Sequence, residues 1–275
     1  MLRTLSILVV VVCCAAVWAG AGSGGVLAID AQVTSVALGG PVHALVVLPP
    51  GYATSRRRYP VVYFLHGLPA GPAAYRGSAW LTQLVSTVGP FILVEPQGAR
   101  DGDTDPEYLD WGDGRNWSTY VTRELPHYVD THFRTIRSRA GRAIVGLSAA
   151  GYGAAMLGLN HLGEFSVIES WSGYFHATDP SGKSAIAAPG SANVHSLISG
   201  LVADEKTRPT FIGFYVGAAD PIFVAENEQF DRELTAAGVR HRFAVYAGGH
   251  QTKLWSSHAV AWMRLAVAHL APATT

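Results

Sequence analysis

The sequence predicts an α/β fold, a mostly parallel sheet with helices on both faces. Three observations carry this. Short apolar runs recur along the chain, each closed by glycine or proline, as expected of strands buried on both sides. Helix-patterned segments alternate with these runs, and no internal repeat is present. The 275 residues are 49% hydrophobic and only 15% charged, enough to bury one large core. A formal net charge of zero, with no basic block or acidic tail, argues against a nucleic-acid partner. The eleven histidines lack metal-ligand spacing, so neither a metal nor another cofactor is expected.

Residues 1–25 begin with one arginine, continue through an apolar run and end in small residues. This is the pattern of a secretory signal peptide, or of an N-terminal membrane anchor if uncleaved. A single domain is expected over 26–275, secreted or associated with the cell envelope. Both cysteines, Cys13 and Cys14, fall in the leading segment, so the remainder has no disulfide.

Strands are expected over 31–38 and 42–48, joined by the turn Gly39-Gly40-Pro41 as a hairpin. Arg56-Arg57-Arg58 reads as a solvated loop. Strand 60–66, helix 78–87 and strand 90–96 follow, then a loop over 97–106. A helix over 116–130 should kink at Pro126. Strand 142–147 leads into a small-residue helix over 152–160, and strand 164–173 comes next. Residues 174–207 are rich in Ser, Ala, Gly and Pro and read as a long loop walling the pocket. The chain closes with strand 209–216, helix 227–237, strand 242–247 and helix 252–270.

The chemistry gathers where strands end. Gly146-Leu147-Ser148-Ala149-Ala150-Gly151 squeezes a serine between a strand and a helix, with small neighbours throughout. That is the setting of a nucleophile elbow, although Ala150 stands where the usual pattern has glycine. Asp220 follows strand 209–216, and His250 follows strand 242–247 after Gly248-Gly249. A serine hydroxyl needs a base to take its proton, and the base needs an acid to hold one tautomer. The order Ser148, Asp220, His250 is the one α/β-hydrolases use. Glu226 and Glu228 are the rival acids, and His258, inside the last helix, the rival base. The oxyanion donors are expected to be the N–H groups of Ala149 and of Leu68, in the loop after strand 60–66. His66 reads as structural. Ser172 reads as a strand-end turn.

These residues carry a resemblance. Gly146–Ala154, Val216-Gly-Ala-Ala-Asp220 and Gly248-Gly-His250 with Trp255 resemble the putative-esterase family of α/β-hydrolases. That family includes S-formylglutathione hydrolases, feruloyl-type esterases and the antigen 85 mycolyltransferases. Leu109-Asp110-Trp111 and Asn116-Trp117 look like a segment the mycolyltransferases carry before their nucleophile strand. The resemblance implies that Asp110, Trp111 and Trp117 line the substrate site. Those enzymes have Asp and Arg where this chain has His66 and Pro69. The expectation is therefore an exported serine esterase acting on a small-molecule, lipid or sugar ester. Acyl transfer to a sugar hydroxyl, or a non-catalytic binding role at the cell surface, are the alternatives.

Overall fold

In the computed structural model the described residues are 16–18, 25–76, 79–100, 103–104, 107–178 and 190–275. The expected signal peptide or anchor lies almost wholly outside them. The strands are β1 (Ala16–Trp18), β2 (Leu27–Ser35), β3 (Gly40–Leu48), β4 (Val61–Leu65) and β5 (Ile92–Pro96). A short pair, β6 (Ala99–Arg100) and β7 (Asp103–Thr104), precedes β8 (Arg142–Leu147), β9 (Val167–Trp171), β10 (Phe211–Gly217) and β11 (His241–Tyr246). The main sheet has the order β1-β2-β3-β5-β4-β8-β9-β10-β11. β2, β3 and β5 pair antiparallel, whereas β5, β4, β8, β9, β10 and β11 run parallel.

Burial follows from this placement. Every residue of β4, β5 and β9 is buried, because helices cover both faces of the centre. β2 alternates buried and exposed over its second half, as an antiparallel strand near the edge does. One core packs Tyr63, Ile144, Ile168 and Phe214 against α4 (Ala149–Asn160), α5 (Val194–Asp204) and α6 (Pro221–Ala236). The other packs Phe64, Val145, Trp171 and Tyr215 against α1 (Ala79–Val88) and α7 (Thr252–Ala268).

Several local expectations change. Residues 97–106 contain the small antiparallel pair β6–β7 rather than only a loop. The helix before β8 is a short α2 (Trp117–Thr119), a π turn over Tyr120–Glu124, and α3 (Leu125–His132). Pro126 lies in the first turn of α3, and its missing N–H removes an i→i−4 bond where the wider turn ends. The 174–207 stretch is not all loop, since α5 occupies its second half, capped by the Asn193 side chain. α6 begins at Pro221, well before 227, because Asp220 caps it and Pro221 suits a first turn. Among the described residues no helix is long and apolar enough to cross a membrane.

Candidate active site

The elbow is set by close approaches that only small residues allow. A Cβ on Gly146 would stand 1.8 Å from the Ala150 carbonyl oxygen, so the end of β8 needs glycine. A Cβ on Gly151 would stand 2.7 Å from Gly173 Cα and from Ser170 Oγ, so glycine is needed one place after Ala150 too. Ala150 itself is fully buried and fits. Between them Ser148 adopts φ 59° and ψ −125°, which points it out of the strand direction. Its N–H donates to the Trp171 carbonyl on β9 (2.9 Å), and Gly151 N–H donates to the Ser148 carbonyl (2.7 Å).

Ser148, His250 and Asp220 form one hydrogen-bonded chain. His250 Nε2 is 2.7 Å from Ser148 Oγ, and its Nδ1 is 2.9 Å from Asp220 Oδ2. A carboxylate can only accept, so Nδ1 carries the proton and Nε2 is left to accept from the serine hydroxyl. Asp220 serves twice, since its other oxygen accepts from Phe223 N–H at the start of α6 (3.5 Å). The loops that carry Asp220 and His250 are tied by backbone: Ala218 N–H donates to Tyr246 O and Ala219 N–H to Gly248 O, both at 2.8 Å. Gly217 permits this, because a Cβ there would meet Gly248 O at 2.5 Å. The imidazole sits edge-to-face between Phe223 (centroids 4.9 Å) and Trp255 (5.1 Å). Trp255 is anchored in turn through Nε1–H to the fully buried Ser172 Oγ, 3.0 Å away. Phe223 falls in the first turn after Asp220, and that adjacency is the one sequence signal that could have singled it out.

The rivals are placed elsewhere. Glu226 accepts from Phe175 N–H (2.8 Å) and from the His176 ring (2.9 Å), so its charge holds the segment after β9. His258 stacks on Tyr246 at 3.6 Å on the α7 face of the sheet, and burial lowers its pKa. His66 is a buried neutral imidazole, its pKa lowered first by burial. Its Nε2 accepts from Gly98 N–H (3.2 Å), so Nδ1 is the protonated nitrogen and donates to Gly67 O (3.1 Å). That braces the turn leading to Leu68. Gly67 lies against the elbow, where a Cβ would come within 2.4 Å of Leu147 O and 3.4 Å of Ala149 N. Leu68 therefore follows a turn pressed against the start of α4, and stands 45% exposed.

Two residues expected to line the substrate site have other work. Trp117 is fully buried, edge-on to Tyr108 and Tyr120 and beneath the Arg100 guanidinium, so no ligand reaches its ring. Asp110 accepts from Thr119 N–H (3.0 Å) and Thr119 Oγ1–H (2.8 Å), capping the α2 turn. It borders a hollow of about 300 Å³ with Met156, Asn160 and His161, towards the far end of α4 from Ser148. Trp111 is half-buried in the same loop, with its N–H bonded to Arg115 O. The neighbouring Glu107, which carries no sequence signal, is buried and accepts from Tyr174 O–H (2.5 Å) and Thr178 N–H (2.9 Å).

Residues 35–263 match the model of the family described as Putative esterase. An esterase of Mycobacterium tuberculosis is 34% identical over 129 residues, which are 46% of this chain and 28% of that protein. The MPT51/MPB51 antigen of Mycobacterium bovis is 32% identical over 132 residues, 46% of this chain and 42% of its own. The chain thus spans less than half the length of these curated relatives. A ferulic acid esterase structure superposes with a TM-score of 0.75 at 22% identity, covering 90% of this chain and 99% of its own. An S-formylglutathione hydrolase from Agrobacterium tumefaciens gives 0.73 at 20% identity, covering 93% and 99%. At these identities the likeness speaks for the fold, which is that of the α/β-hydrolases.

Proposed function

The chain belongs to the Putative esterase family, and from that membership we propose that it hydrolyses carboxylic esters with Ser148 as nucleophile. Ser148 Oγ attacks the ester carbonyl while His250 Nε2 takes its proton. Asp220 holds the imidazole in the required tautomer and stabilises the cation that forms. The oxyanion develops against the N–H of Ala149, one of the helix-start donors without an intrahelical partner, and the N–H of Leu68. His250 then protonates the leaving alcohol, and a water activated by the same base releases the acyl group. The observation that carries this reading is the unbroken chain from Ser148 Oγ through His250 to Asp220, at 2.7 and 2.9 Å.

Water is the acceptor in this reading, because the chain departs from the mycolyltransferases at His66 and Pro69. Residues 26–275 act as one catalytic unit, exported by the segment before it. Labelling with a fluorophosphonate probe tests the nucleophile. The wild type is expected to label and Ser148→Ala is not; an unlabelled wild type, or equal labelling of the variant, sinks the proposal. A chain-length series of nitrophenyl esters, with and without trehalose, separates hydrolysis from transfer.

A further inference from the structure

We propose that Ser172 and Trp255 are positioning residues for His250: their hydrogen bond fixes the ring that keeps the imidazole turned toward Ser148. The inference rests on the reading of Ser148 as nucleophile and His250 as its base. The bond to Asp220 holds one ring nitrogen of His250 and leaves rotation about it open. Proton transfer needs Nε2 to stay within hydrogen-bond reach of Ser148 Oγ, so the neighbours must oppose that rotation. Phe223 from α6 and Trp255 from α7 meet the imidazole nearly at right angles, with 79° and 85° between the planes.

The two flanks are held by one turn, the residues that follow β9. Tyr174 packs on Phe223 with centroids 5.3 Å apart, and its O–H is tied to the buried Glu107. Gly173 lies against the elbow, where a Cβ would stand 3.0 Å from Gly151 Cα, and its carbonyl accepts from Asn227 Nδ2–H of α6 (2.8 Å). Ser172 takes the other flank, accepting from Trp255 Nε1–H at 3.0 Å. Packing alone fixes the Phe223 ring, whereas the half-buried Trp255 ring depends on that one directional bond. Ser172 is fully buried, so water does not compete for its hydroxyl. Its backbone holds φ at 50°, a left-handed conformation that a serine adopts only when its surroundings impose it. The Ser172 N–H donates to Tyr215 O on β10 (2.7 Å), which pins this strained residue to the sheet. The indole is thereby referred to the same strand end that receives the Ser148 N–H, so nucleophile and base share one anchor.

Steady-state hydrolysis of nitrophenyl acetate by Ser172→Ala and Trp255→Phe tests this, since each removes one end of the bond and keeps the Cβ or an aromatic ring. With kcat counted per fluorophosphonate-titratable site, each variant is expected to lose about tenfold or more in kcat, with KM within about twofold of wild type. The double variant should be no slower than the slower single one, because both act through one bond. If Ser172→Ala does not fold, Trp255→Phe decides on the same criterion. A wild-type kcat in the folded variants overturns the proposal, even where the melting temperature falls, because the bond would then serve only the fold. A rise in KM alone, or losses that multiply in the double variant, overturns it as well. A wild type that neither labels nor hydrolyses the ester removes the Ser148 reading and this proposal with it. An active wild type with unaffected variants removes only this proposal.

Discussion

Ser148 holds a positive φ of 59°, a conformation that an L side chain adopts only when its surroundings impose it, at a cost of roughly 1–3 kcal/mol. The strain belongs to the elbow and not to the hydroxyl, so two inactivating variants should differ in stability. Ser148→Ala keeps the strained Cβ and should melt close to the wild type. Ser148→Gly relieves it and should be more stable than Ser148→Ala by about 1 kcal/mol in denaturant titration. Equal stability of the two would place the strain elsewhere. Asp220 separates its two roles in the same way. Asn caps a helix as well as Asp does, so Asp220→Asn should leave the melting temperature nearly unchanged. It presents a donor where His250 needs an acceptor, so kcat should fall about 10³–10⁴-fold, read with nitrophenyl esters.

α4 is buried on every side, and its glycines are read through what lies against them. Gly151→Ala drives a methyl into Gly173 and Ser170 and should cost roughly 1–3 kcal/mol, with loss of activity as the elbow shifts. Ala150→Gly meets no such obstacle and should cost only about 1 kcal/mol of helix propensity while retaining activity. The opposite ranking in urea melts would mean that the position needing glycine after Ser148 is 150. The displaced glycine was visible in the sequence as an imperfect motif; its reason was not, because the obstacle comes from β9 and the turn after it. Most strands of the main sheet were legible as apolar runs closed by Gly or Pro, whereas β6 and β7, Ala-Arg and Asp-Thr, were not; Ser148, Asp220 and His250 stand out because they follow three of those runs. The roles of Trp117 and Asp110 were not. A tryptophan in a loop-rich segment reads the same whether it faces a ligand or, as here, Tyr108 and Tyr120. α5 was obscured by its Ser- and Gly-rich composition, and its cap Asn193 shows its function only once Ser196 N–H is seen to donate to it.

At the scale of the whole molecule, two carboxyl groups among the described residues lie on the α1/α7 face of the sheet, without solvent. Glu169 accepts one bond, from Trp171 Nε1–H (2.9 Å), and burial pushes its pKa up to about 8. Glu95 has neither oxygen partnered, and burial raises its pKa well above the usual range. Both folded-state values exceed those of the unfolded chain, so the native state holds protons that the unfolded state releases. The contribution of these groups to stability is therefore full below the unfolded value of about 4.5 and is lost as pH rises, for Glu169 through about 8, by up to ~1.4 kcal/mol per pH unit. Glu169→Gln keeps the acceptor for Trp171 without the charge. It should match the wild type in melting temperature near pH 5 and exceed it by several degrees at pH 8; parallel curves at both pH values would refute the buried-acid account. The splice between the Asp220 and His250 loops bears on engineering and on lineage alike. Ala219 donates to Gly248, and Gly217 leaves no room for a side chain beneath it. The two loops are thus a single cassette, although nearly thirty residues of chain lie between them. An insertion in one, or a graft from a relative, must be matched by its counterpart in the other, and loop libraries that vary them separately will yield mostly inactive proteins.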